Sequence, residues 1–194
     1  MKYIITFFFP LLIFCCSPSA QETTSTDSDS LAGISSVVLT GNETREGLKK
    51  SIRNLEKDLK TETGTIRDKS QAIEYIQAIK KLANKYPADN EVPRLLSTAA
   101  EACRGIGANN ESLALYGQVY KNYPEHALAP PALFIQGFIL ENELQQKEQA
   151  KSNYEQFLSL YPTHEFAATV KLNLQQLDMS PEELIKEFQK KNRK

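Results

Sequence analysis

The chain has 194 residues and sets 23 basic side chains against 24 acidic ones, for a formal net charge of −1. That balance, without a clustered basic stripe, excludes a nucleic-acid interface driven by counterion release. Three cysteines and two histidines are too scattered for a structural metal site, which needs several convergent ligands.

Lys2 opens the chain, and Ile4 to Phe14 is almost wholly apolar up to Cys15-Cys16. About eleven apolar residues cannot span a hydrocarbon core of about 30 Å, but they suit the apolar region of a secretory signal. The run Ile13-Phe14-Cys15-Cys16 resembles the box of bacterial lipoproteins. The resemblance implies a signal peptide over 1–16 and acylation, palmitate included, at Cys16. A competing register acylates Cys15, and plain secretion or an uncleaved anchor are the remaining readings. It also implies a place in the cell envelope, with Ser17 after the acylated cysteine fitting the outer membrane, facing the periplasm. More than one acyl chain, at about 0.8 kcal/mol per buried methylene, anchors a protein stably without crossing the bilayer.

Residues 17–42 are rich in Ser and Thr and begin without helical period, so they cannot bury enough apolar surface to offset their ordering entropy. They read as a flexible tether, in which Ile34 to Leu39 is a short β-branched arm expected to pack loosely or stay irregular. A domain follows over 43–194. It starts with a helix from Thr44 to Lys60, where Leu48, Ile52, Leu55 and Leu59 form one apolar stripe. Barely two heptads favour a packed helix over a coiled coil. Gly64 is the expected stop, and the next helix starts near Asp68.

Three Tyr-Pro pairs, Tyr86-Pro87, Tyr123-Pro124 and Tyr161-Pro162, recur at spacings of 37 and 38 residues. Eight, five and one residues before each proline stand Ile79, Leu82, Tyr86; Tyr116, Val119, Tyr123; and Tyr154, Phe157, Tyr161. Twelve before stand Tyr75, Ser112 and Ala150, and five and eight after stand Val92 and Leu95, Ala129 and Ala132, Ala167 and Val170. Each proline ends a helix, because it lacks an N–H and clashes with the preceding turn, and a second helix with its own apolar side follows. No such pair buries its face alone, so the spacing predicts an all-α, short α-solenoid of stacked antiparallel helix pairs.

Over about Ser70 to Leu177 these residues resemble the tetratricopeptide repeat, in the form found in bacterial envelope lipoproteins. The small residue of the family's first helix is matched by Ala100 and Gly137 but replaced by Gln175. The helix from Glu165 to Leu177 is therefore not expected to open another full repeat. Ser180-Pro181-Glu182-Glu183 reads as an N-cap, a first-turn proline and a capping-box glutamate. Leu184, Ile185 and Phe188 give that segment an apolar face, which makes it a C-terminal capping helix.

Nothing in the sequence assembles a catalytic site or a cofactor site. His126 and His164 each lie two residues after a proline, a repeat position at an inter-helix turn. Cys103 reads as a small buried residue, and Gly105-Ile106-Gly107 as a turn without the lysine of a nucleotide loop. The family resemblance implies protein or peptide partners on a concave face. Its groove positions here are Arg94, Ser97, Glu101 and Arg104 in one pair, and Phe134, Phe138, Glu141 and Asn142 in the next. Phe134 and Phe138 share a helix face, which either lines that groove or packs in the core. Alternating Arg and Glu beside aromatics suit an extended peptide. The function implied is a non-enzymatic, membrane-anchored adaptor of envelope proteins; the alternative is a structural, cell-wall-associated repeat protein without a peptide ligand.

Overall fold

The computed structural model describes residues 44–59, 66 and 68–191. The expected signal peptide, Cys15 and Cys16, the tether with its Ile34–Leu39 arm, and Gly64 lie outside them. Among the described residues eight α-helices run in order: α1 (Arg45–Leu59), α2 (Lys69–Lys85), α3 (Val92–Gly105), α4 (Asn109–Asn122), α5 (Ala129–Phe138), α6 (Lys147–Leu160), α7 (Ala167–Leu177) and α8 (Pro181–Lys191). A π-helical turn, Ile139–Glu143, extends α5. Helices α1 to α7 pack side by side in sequence, the all-α solenoid that the three-fold Tyr-Pro register predicts.

The three Tyr-Pro junctions share one backbone. Tyr86, Tyr123 and Tyr161 are the C-caps of α2, α4 and α6, at φ, ψ of −134°, 59°; −132°, 55°; and −130°, 55°. A residue before proline is pushed out of the α region, so each helix stops there. The residue two beyond the proline then closes the turn. Asp89, His126 and His164 each donate their N–H to the tyrosine carbonyl, at 3.0, 3.0 and 3.2 Å. Their side chains accept from the N–H of Glu91, Leu128 and Phe166 at 2.9, 3.1 and 3.2 Å. Their carbonyls accept from Val92, Ala129 and Ala167 at 3.0, 2.8 and 2.8 Å, where the next helix begins. An aspartate and two histidines thus do one job, with Nδ1 of each imidazole serving as an acceptor.

The repeated apolar positions form the core. Ile79, Leu82, Tyr116, Val119, Tyr154, Phe157, Val92, Leu95, Ala129, Ala132, Ala167 and Val170 are all buried. The stripe on α1 joins it, since Leu48, Ile52 and Leu59 are buried with Leu55 packed alongside. That face is occupied by the array's own core, as a packed first helix requires. Links between alternate helices define two layers. Lys80 on α2 pairs with Glu111 on α4, Lys49 on α1 reaches Asp89 and Glu91 at the start of α3, and Arg104 on α3 pairs with Glu143 after α5. Helices α2, α4 and α6 form one layer and α1, α3, α5 and α7 the other.

Small residues set the contact distances. A Cβ added to Gly137 would sit 2.6 Å from Tyr154 Cδ1 and 2.8 Å from Asn153 Oδ1, so only glycine lets α6 approach α5 there. Ala100 is fully buried at the equivalent place, while Gln175 is exposed. Before α8, Ser180 Oγ accepts from Glu183 N at 3.3 Å and Glu183 Oε2 accepts from Ser180 N at 2.8 Å, a reciprocal capping box. The helix foreseen there forms, with Ile185 exposed.

Candidate functional site

The odd-helix layer carries all eight residues singled out from the sequence, and it divides them. On α3, Arg94 is exposed and lies 3.6 Å from Glu91. Ser97 turns its hydroxyl back to the Pro93 carbonyl at 3.1 Å, and Glu101 is exposed. Arg104, near the end of α3, donates through Nε to Glu143 Oε1 at 3.0 Å, and the pairing holds its guanidinium pKa above the usual value. Its Cζ lies 5.8 Å from the centre of the Phe138 ring, within reach of a cation–π attraction. Phe138 is 40% exposed.

Phe134, one helical turn earlier, does something else. Its ring centre stands 4.9 Å from that of Phe166 and 6.3 Å from that of Phe157, in an aromatic group that also contains Tyr161 and His164. The shared helix face is therefore split: Phe134 packs inward at the α5–α6–α7 corner, and Phe138 faces out beside Arg104. Asn142 is exposed and bonded to the Phe138 carbonyl at 3.1 Å. Glu141 turns the opposite way from Glu143, accepting from the Tyr154 hydroxyl at 2.7 Å.

Two tyrosines at the same repeat position meet different surroundings. The Tyr154 hydroxyl donates to Glu141 and accepts from Asn173 Nδ2 at 3.3 Å; burial, and then the Glu141 carboxylate, push its pKa well up. Tyr116 is also buried, and burial followed by the nearby Glu101 carboxylate pushes it up to about 12. Its hydroxyl lies beside the Arg104 guanidinium, a donor that draws the pKa back down, and no group accepts its proton. Counted from their prolines, Arg104 and Ile135 stand where Glu141 and Asn173 stand in the next pair. A cation and an apolar side chain replace an acceptor and a donor, which leaves the Tyr116 proton without an acceptor.

The participation of Tyr116, Glu143 and Asn173 was not visible in the sequence. Tyr116 reads as core, which it is; only its hydroxyl is unusual. Glu143 is brought toward Arg104 by the π-helical turn, a departure from 3.6-residue geometry that leaves no periodic trace.

Little else suggests chemistry. Burial pushes the Cys103 thiol up to about 12, the opposite of a reactive thiolate. Among the described residues no group of His, Cys, Asp and Glu could hold a metal ion, and no helix is long and apolar enough to cross a membrane. A surface depression of about 460 Å³ is lined by Gln77, Lys80, Lys81, Asn84 and Lys85. All five come from α2, so it is the open side of one helix and not an enclosing pocket.

No curated protein matches the chain. Residues 131–164, which hold most of α5, the π-helical turn, α6 and the Tyr161-Pro162 junction, match the family model of the tetratricopeptide repeat. Repeats of this kind usually serve as non-enzymatic scaffolds for protein–protein contact, so the match implies protein partners in general. It places one tetratricopeptide repeat on the α5–α6 pair, within a fold of the same type.

Proposed function

We propose that the chain is a membrane-anchored adaptor of the bacterial cell envelope that binds an extended segment of a partner protein on its odd-helix layer. The observation that carries this reading is the pairing of a 40% exposed Phe138 with Arg104, whose guanidinium carbon lies over its ring, 5.8 Å from the centre. An exposed aromatic next to a half-buried arginine supplies two residue types enriched at protein interfaces. Glu101, one turn before Arg104, and Asn142, bonded to the Phe138 carbonyl, are exposed and offer polar groups at the rim. The envelope location and the anchor rest on the resemblance of Ile13 to Cys16 to a lipoprotein box.

Both parts have direct tests. Partners captured from solubilised membranes by the wild-type chain should be lost by a chain carrying Arg94→Ala, Arg104→Ala and Phe138→Ala; unchanged recovery overturns the binding face. Metabolic labelling with palmitate should mark the wild-type chain and not Cys16→Ala. Label retained by that variant overturns the register.

A further inference from the structure

Helix α8 stands outside the packed series that α1 to α7 form, although it follows α7 through a loop of the same three-residue length as the loops before α4 and α6. Two local features turn it away. Loops 106–108 and 144–146 each pass through a left-handed middle residue, Gly107 at φ 81° and Gln145 at φ 56°, whereas no residue of 178–180 takes a positive φ. The last N–H of those two loops returns to the helix before it, from Ala108 to the Cys103 carbonyl and from Gln146 to the Leu140 carbonyl, both at 2.8 Å. That of Ser180 goes forward instead, to Glu183 Oε2. The surface of α7 offers no apolar seat either. Counted from their prolines, Lys171 and Gln175 stand where α3 has Leu96 and Ala100 and α5 has Leu133 and Gly137; the four earlier residues are buried and these two are exposed. A helix of 11 residues outside the packed core is marginal in water, so α8 lacks a surface that its own chain does not provide.

We propose that α8 is an interfacial helix that lies on an anionic lipid surface, with its Ile185 side in the acyl region and its basic residues drawn to the headgroup phosphates. Ile185 is 57% exposed, and the helical period of the sequence sets Leu184 and Phe188 on the same side. Lys186 and Lys190 are exposed on the other side, and Lys191, Arg193 and Lys194 follow. Of the three acids in this stretch, Glu182 and Glu183 lie in the first turn, where the helix N-terminus stabilises them. The remainder is a basic amphipathic segment with Leu, Ile and Phe opposite its lysines, the composition that suits a lipid–water interface. A second copy of the chain fits less well. Three apolar side chains fall far short of the roughly 800 Å² per partner that a stable pair buries, whereas a lipid surface adds the attraction of its phosphates for every basic residue. This contact is separate from the binding face on α3 and α5, and it does not require acylation of Cys16.

Amide exchange over α8 in the full chain, read by mass spectrometry, tests this with two kinds of vesicle: phosphatidylcholine alone, and phosphatidylcholine mixed with an equal part of phosphatidylglycerol. The helix should exchange freely without vesicles and with phosphatidylcholine, and the mixed vesicles should slow it by about tenfold or more. Added salt should weaken that protection. Ile185→Glu should abolish it. Lys190→Gln, Lys191→Gln, Arg193→Gln and Lys194→Gln combined should raise the lipid concentration at half protection by about tenfold or more. Exchange in α4 should stay unchanged in both variants, which shows that the array remains folded. An α8 that the mixed vesicles leave unprotected overturns the proposal. Equal protection on both kinds of vesicle overturns an anionic surface as the partner. Protection that appears without vesicles and grows with protein concentration makes the partner a second copy of the chain, and overturns the proposal as well.

Discussion

The edge of the Tyr154 ring fills the space in which Gly137 would otherwise carry a side chain. Tyr154 cannot retreat, because it is fully buried and held by Glu141 and Asn173. Gly137→Ala should therefore destabilise the array, even though alanine favours a helix by about 1 kcal/mol. Overpacking costs about 1–3 kcal/mol, so a net loss of about 1 kcal/mol is expected in urea unfolding. A midpoint unchanged or raised would show that α6 can shift to make room.

Removing the same hydroxyl from two equivalent tyrosines should give unequal results. Tyr154→Phe breaks two hydrogen bonds in a buried site and should cost about 1–3 kcal/mol. Tyr116→Phe removes a buried hydroxyl whose proton has no acceptor, and it should be neutral or slightly stabilising, within about 0.5 kcal/mol. Calorimetric unfolding of the two single variants makes the comparison, and equal losses would mean that Tyr116 finds an acceptor after all.

Phe134 and Phe138 lie four residues apart and should separate by function. Phe134→Ala empties a place between Phe157 and Phe166 and should cost about 3 kcal/mol. Phe138→Ala should cost less than about 1 kcal/mol while reducing partner capture. A strongly destabilised Phe138→Ala variant would move that ring from the binding face into the core.

Acid should loosen α1 before the rest. Asp89 receives the Glu91 N–H and the Lys49 ammonium, with Arg45 nearby, and these hold its carboxyl below the usual range. Glu91 is held down mainly by Lys49. A carboxylate with a depressed folded pKa contributes stability that is fully present above its unfolded value of about 4 and is lost as pH falls through the folded value. Lys49, whose pKa is raised by Glu91 first and Asp89 next, contributes below about 10.5 and loses its share above that. Amide exchange in α1 should thus accelerate below pH 4, and Asp89→Asn should remove most of that dependence while keeping an acceptor for Glu91 N. An α1 that exchanges no faster in acid than α4 would refute this account.

The fold was legible because it repeats. One Tyr-Pro pair is a turn signal of low value, whereas three in register assign Ile79, Tyr116 and Tyr154 to a single structural role. The repetition also hid things. His126 and His164 were recognisable as equivalent, but Asp89 belongs to the same set and escaped notice because its side chain differs while its acceptor atom does not. The proposed binding face was half legible: helix period places Phe134 and Phe138 on one side, and only the corner formed by Phe157, Phe166 and His164 decides which of them turns inward. The Arg104–Glu143 pair was not legible at all, since it depends on a turn that departs from the period used to read the helices.

That turn also accounts for the unequal spacing of the Tyr-Pro pairs. Helices α3 and α4 start 17 residues apart and helices α5 and α6 start 18 apart, and the π-helical turn at Ile139–Glu143 is where the extra residue is taken up. The insertion falls between two stretches that are each measured from their own proline, so it disturbs the register of neither. A chain built this way can change length by one residue at the end of α5 without refitting its core. The place where it can do so adjoins the proposed binding face, so recognition there can diverge while the scaffold stays fixed.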